Sequence, residues 1–160
     1  MRSVYAGWWY EFAIDMSLTK TVDQIVMKVD KRYGNEAIMQ WSPSIPLPCR
    51  IVAFTWAATG YALCEGYVMF LCMQCEHRQL AFCFRSLGLD NLAETMDRML
   101  SPIRDDGVLG NTEALEARFG GWDNLTEWVG RYEPILFKAN DSIDEAIFAY
   151  YQVHLSDFRL

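Results

Sequence analysis

Apolar positions recur at helical spacing along most of the chain. Val22, Ile25, Val26 and Val29 fall at i, i+3, i+4 and i+7, one stripe of an amphipathic helix. Thr21 and Gln24 make a capping box at its start, because hydroxyl and amide can each satisfy an orphan backbone N–H, and Gly34 suits its stop. Upstream, Met1 to Leu18 is rich in aromatics (Trp8, Trp9, Tyr10, Phe12), and its periodicity fits a short strand or a helix. Ser42 to Pro48 holds Pro43, Pro46 and Pro48; proline lacks the N–H and restricts its predecessor, which predicts an extended connector. The connector, residues 42–48, divides an N-terminal arm, 1–41, from a main body, 49–160. An arm of about 40 residues is too short for its own core, so residues 1–160 read as one domain.

Beyond Arg50 the chain is strongly apolar. Tyr61, Cys64, Val68, Leu71 and Cys75 step by three and four, a stripe expected to face the core, with Gly60 and Gly66 as places where the helix can break or kink. Gln79 to Leu87 reads as a short buried helix stopped by Gly88. Asp90 caps a helix to Leu100 with Leu92, Met96 and Met99 on its apolar face, and Pro102 ends it. Arg104 to Asn111 is a polar loop. Thr112 and Glu116 open a short helix that Gly120 and Gly121 break. Asp123 caps another through Trp128 towards Phe137, kinked or cut short at Pro134. Ser142 with Glu145 forms a capping box that starts a last helix, to about Leu155. No internal repeat or low-complexity segment interrupts the pattern. The fold class is all-α, a single compact domain of six to eight helices.

Composition sharpens this picture only in part. With 160 residues, 52% apolar and 22% charged, the chain is globular rather than disordered. Its longest charge-free stretch, Ile51 to Cys64, is too short to cross a bilayer. Glu11 and Asp15 interrupt the apolar start and no small-residue cleavage site comes after it, which argues against a signal peptide. Five cysteines without framework spacing fit a reducing cytoplasm.

The charge is unevenly divided. Residues 1–86 carry seven acids and eight bases, net +1; residues 87–160 carry fourteen acids and six bases, net −8, which together give the −7 of the whole chain. An acidic half repels nucleic acid and anionic membrane and attracts a basic partner, although acidity also serves solubility. Seven acids against two bases lie between Asp90 and Glu116: Asp90, Glu94, Asp97, Asp105, Asp106, Glu113 and Glu116. Asp141, Asp144 and Glu145 form a second cluster. These ten carboxylates are the candidate partner-binding face.

Catalytic chemistry leaves little trace. No nucleophile elbow, phosphate-binding loop or dinucleotide fingerprint is present, and the histidines are His77 and His154. Cys72 and Cys75 with His77, completed by Cys64 or Cys83, are the one set resembling a metal site; their place on an apolar stripe favours buried structural cysteines, so neither metal nor cofactor is expected. His154 suits the C-terminal end of the last helix, where positive charge meets the dipole. The 21 acids offer many pairs for acid–base work, and the sequence selects none. Trp56 and Trp128 sit in periodic apolar segments and read as core, while Trp8, Trp9 and Trp41 are candidates for packing the arm or a second subunit.

The stretch from Pro48 to Leu100, with the C-terminal end, resembles the DNA-mimic-protein family, small all-helical bacterial proteins. Pro48-Cys-Arg-Ile-Val resembles that family's opening helix, Cys64-Glu65-Gly66-Tyr67-Val-Met-Phe70-Leu71 its glycine–aromatic motif, and Leu87-Gly88-Leu89 its later glycine step. Ser142 to Phe158, with His154 and Phe158, resembles its end. The sequence departs from the pattern in having one glycine where the family has two, Glu65 for an asparagine and Met69 for a glutamine. The resemblance implies structural roles for Glu65, Gly66, Tyr67, Phe70 and Gly88, and a non-enzymatic binding protein, in one branch a mimic of the DNA charge surface. The expected partner is thus a basic protein, with no direct binding of nucleic acid or membrane. An immunity- or antitoxin-like inhibitor of one enzyme, an enzyme with an unrecognised carboxylate pair, and a homodimer seamed by the aromatic arm are the rival readings.

Overall fold

The computed structural model describes residues 6–103 and 107–159, with side chains of 6–17 and 141 left aside. Among the described residues there are ten α-helices, a terminal 3-10 turn and no strand, in one compact arrangement. The all-α expectation holds, with more helices than six to eight because two predicted ones are divided.

Helix α1 runs from Ala6 to Tyr33, so the segment left open between strand and helix is helical from Ala6. Thr21 lies in its middle rather than at a start; the expected capping box is therefore not a helix terminus. The predicted stripe is correct: Val22, Ile25, Val26 and Val29 are all buried. Gly34, at φ +84°, ends the helix, its N–H bonding to the Asp30 carbonyl at 2.7 Å. A short helix α2 (Asn35–Met39) comes next, then turns that deliver the chain to α3 (Leu47–Glu65). Pro48 stands in the first turn of α3, where its missing N–H costs nothing, so the irregular connector ends at Pro46.

Helix α3 is the centre of the molecule. Cys49, Ile51, Val52, Ala53, Phe54, Thr55, Ala58, Thr59 and Ala62 are buried, and α1, α2, α4, α5 and α10 pack around it. Apolar on nearly every side, it has the pattern of a helix enclosed by others. Its two buried hydroxyls are satisfied locally: Thr55 and Thr59 each donate to the carbonyl four residues back, at 2.7 Å.

The predicted stripe from Tyr61 to Cys75 is corrected by the structure. Gly66, at φ +87°, breaks the helix and rotates the next segment, whereas Gly60 stays helical. Cys64 is consequently exposed and Ala62 buried, and beyond the break α4 (Tyr67–Cys72) buries Tyr67, Phe70 and Leu71. Helices α5 (Gln79–Ser86) and α6 (Asp90–Leu100) pack closely on each other across the Gly88 turn, φ +76°. Asp90 occupies the first turn of α6 but makes no capping bond, against expectation.

In the last third, α7 (Thr112–Phe119) is capped by Asn111, whose side chain accepts from the Ala114 N–H, and Gly120 ends it in the left-handed region. The helix expected from Asp123 to Phe137 is two helices, α8 (Trp122–Gly130) and α9 (Glu133–Lys138). Pro134 sits in the first turn of α9, starting it rather than kinking a longer one. Helix α10 (Asn140–Val153) begins two residues before Ser142, so the Ser142–Glu145 capping box is not realised. Its terminal turn, Leu155–Phe158, packs on α3, where the Cys49 thiol donates to the Asp157 carbonyl at 3.3 Å.

Trp56 and Trp128 are half-buried, each with its indole N–H satisfied, on Asp23 of α1 and on the Met99 carbonyl, both at 3.0 Å. Trp41 takes φ +54° and fixes the arm against the body, edge-on to Phe54 and Phe82 with the Arg50 guanidinium over its ring. Trp8 and Trp9 lie outside the residues whose side chains are described. No helix among the described residues is long and apolar enough to cross a membrane.

Candidate functional site

The acidic positions fall on several elements. On α6, Asp90, Glu94 and Asp97 are all exposed, opposite the buried Leu92, Ala93, Met96, Met99 and Leu100. At 1.5 Å per residue this row is about 10 Å long. It is partly neutralised: Asp97 pairs with Arg85 of α5, and Glu94 approaches Arg98 to 3.5 Å. Such exposed pairs stabilise little, but each offsets one charge that a partner would read.

Glu113 and Glu116 are exposed on α7. The neighbouring α8 adds Asp123 and Glu127, also exposed, with Glu127 bound to Arg131 at 2.7 Å. Asp123 is expected from the sequence only as a cap, and Glu127 is not singled out. The signal that finds both is the i, i+4 spacing that puts them on one side of a helix whose buried residues are Leu125 and Val129. Glu145 is exposed on α10. Asp144 instead serves the α1–α10 contact, accepting from the Thr19 hydroxyl at 2.7 Å. Asp105 and Asp106, and the side chain of Asp141, lie outside the described residues. Of the candidate face, the row on α6, the pair on α7 and Glu145 are thus exposed among the described residues, and α8 adds Asp123 and Glu127 beside them.

The residues of the glycine–aromatic motif gather at one junction. Glu65 ends α3 and is exposed, Gly66 makes the break, and Tyr67 opens α4 with its side chain buried. The Tyr67 N–H donates to the Glu133 carboxylate at 2.8 Å, so a side chain from α9 caps α4. Glu133 carries no sequence signal for this role, which depends on two segments far apart in the chain. Burial, then the nearby Glu133 carboxylate, holds the Tyr67 hydroxyl protonated well above its ordinary range. Phe70 lies beneath, edge-on to Tyr67 and to His77. Gly88 makes the corresponding turn before α6.

The cysteine–histidine set does not converge. Among the described residues no three His, Cys, Asp or Glu side chains are placed to hold a metal ion. Burial, with Asp157 close by, pushes the Cys49 thiol up to about 11; burial raises Cys75 and Cys83 to about 12. These thiols are protonated at neutral pH, and a protonated thiol is a poor nucleophile. Cys72 sits half-buried at the C-terminal end of α4. His154 comes directly after α10, stacked on Tyr150 at 4.3 Å and 3.5 Å from the Asp157 carboxylate. A hollow of about 420 Å³ lies beside Gly88–Leu92, Ala139 and Ser142, with Asp90 the one acidic residue lining it among the described residues.

Compared with protein-family models, with curated proteins and with solved structures, the chain matches none.

Proposed function

We propose that the chain is a non-enzymatic protein-binding module whose acidic C-terminal half docks on a basic partner. The display of exposed carboxylates along α6, α7 and α8 carries this reading. Charges held on short rigid helices keep fixed spacing, which gives a partner electrostatic complementarity as well as attraction. The resemblance to the DNA-mimic-protein family extends the proposal to a DNA-binding regulator as the partner. Duplex DNA presents one charge per ~1.7 Å of axis, several times denser than the α6 row, so mimicry has to draw on several helices at once.

The test is charge reversal. Glu113→Lys with Glu116→Lys, introduced together, is compared with the unmodified protein in affinity capture from native extract. Recovery of a basic, DNA-binding protein by the unmodified chain, displaced by added duplex DNA and lost in the variant, supports the proposal. Equal capture by both proteins contradicts the acidic face.

A further inference from the structure

The segment Met73–Arg78 joins α4 to α5 and fastens distant parts of the chain. The Glu76 N–H donates to the Met39 carbonyl at the end of α2, at 3.0 Å. Gln74 donates through its side chain to the Gly110 carbonyl at 2.7 Å, and its own carbonyl accepts from Gln40 at 3.3 Å. The Arg78 guanidinium donates to the Ile103 carbonyl. Just before the segment, the Leu71 carbonyl accepts the Gly110 N–H at 2.8 Å. Both ends of the 103–110 stretch are thus held here, and so is α2.

His77 lies inside this knot, 2% exposed. Its Nε2 is 2.8 Å from the Phe70 carbonyl and its ring is edge-on to the Phe70 ring at 5.0 Å. Its polar surroundings on the segment are Arg78, Glu76 and the Cys75 thiol. From the 107–110 turn the hollow beside it is lined by Leu109, and α4 presents the Phe70 ring and carbonyl. Among the described residues no carboxylate pairs with the ring. Burial opposes a charge there, and Arg78 adds to that; the carbonyls of Phe70, Cys75 and Met73 favour it less strongly, so His77 is held neutral below its ordinary range.

We propose that Met73–Arg78 is an acid-operated clasp, in which charging His77 opens the segment to water and releases Gly110 and Ile103 together. An imidazolium enclosed beside Arg78 regains hydration only if the segment moves, and that movement breaks the bonds it makes to 103–110 and to α2. The consequence for docking rests on the proposed function: Gly110 directly precedes Asn111, which caps α7 with its exposed Glu113 and Glu116, so mild acid weakens partner binding. The clasp itself is tested without a partner.

The experiment is amide hydrogen exchange at Gly110 and Glu76, corrected for intrinsic rate, from about pH 7.5 to about pH 5.5, across the ordinary histidine range. Unmodified protein should keep its protection down to the ordinary histidine range and below it lose up to about tenfold per pH unit at both amides, while Val26 and Phe54 stay protected and His77→Gln shows a flat profile. Unchanged protection, or equal loss in His77→Gln, overturns the proposal. If that variant fails to fold, ¹⁵N titration of the native imidazole decides: a Gly110 amide moving with the ring's midpoint supports the clasp, and a ring that titrates without moving Gly110 overturns it.

Discussion

The two halves of the chain use their residues differently. From α1 to α5 the charge is near balance and most of the buried apolar residues are supplied, with α3 enclosed on nearly every side. From α7 to α9 each helix fully buries one or two side chains (Leu115; Leu125 and Val129; Leu136), half-buries one aromatic (Phe119, Trp128, Phe137) and presents most of the rest to solvent. Stability therefore comes mainly from the first region and charge display mainly from the second. Substitutions should separate accordingly, with core changes costing stability and acidic-face changes costing association.

The largest expected effect is in the first region. Phe54→Ala removes a fully buried ring from α3 and should cost about 3–5 kcal/mol in urea unfolding. Leu115→Ala, the matching change in the second region, should cost about 2 kcal/mol, since α7 has less packed around it to lose. Equal losses at the two sites would break the contrast. Gly66→Ala should cost roughly 1–2 kcal/mol, because φ +87° opposes a Cβ, while the Glu133 carboxylate 3.5 Å away leaves room for one.

The pH dependence arises from His77. Its proton affinity is lower in the folded chain than in the unfolded one, so its contribution is complete above the ordinary histidine value and is lost as pH falls below it, down to the depressed folded value. Urea midpoints measured across that range should fall in the unmodified protein and stay level in His77→Gln, apart from the background shared by both. The smallest effect on stability is expected at the acidic face. Glu113→Lys with Glu116→Lys should shift unfolding by about 0.5 kcal/mol or less while slowing association with a basic partner.

How far the sequence reveals this arrangement depends on the range of the interactions. Val22 to Val29 and Leu92 to Met99 are legible because helical spacing is local. Gly34, Gly88 and Gly120 are legible as stops because a positive φ favours glycine. The stripe to Cys75 fails at Gly66, since a break resets the helical phase and periodicity read across it assigns the wrong face. Thr21–Gln24 and Ser142–Glu145 fail for the opposite reason: a capping pattern of four residues also occurs inside a helix, and tertiary packing decides which. At the candidate site, the exposure of Asp90, Glu94, Glu113 and Glu116 is a consequence of the helical pattern. The use of Asp144 by Thr19, of Asp97 by Arg85 and of Glu133 by Tyr67 is not, because each partner arrives from a different segment.

The central claim is that carboxylates, rather than apolar surface, hold the partner. The direct measurement is affinity capture from native extract and elution with rising salt, with duplex DNA as competitor in a parallel sample. A bound basic protein that leaves as salt rises and is displaced by DNA is the predicted result. A partner retained at high salt and indifferent to DNA would place binding on apolar surface and contradict the account.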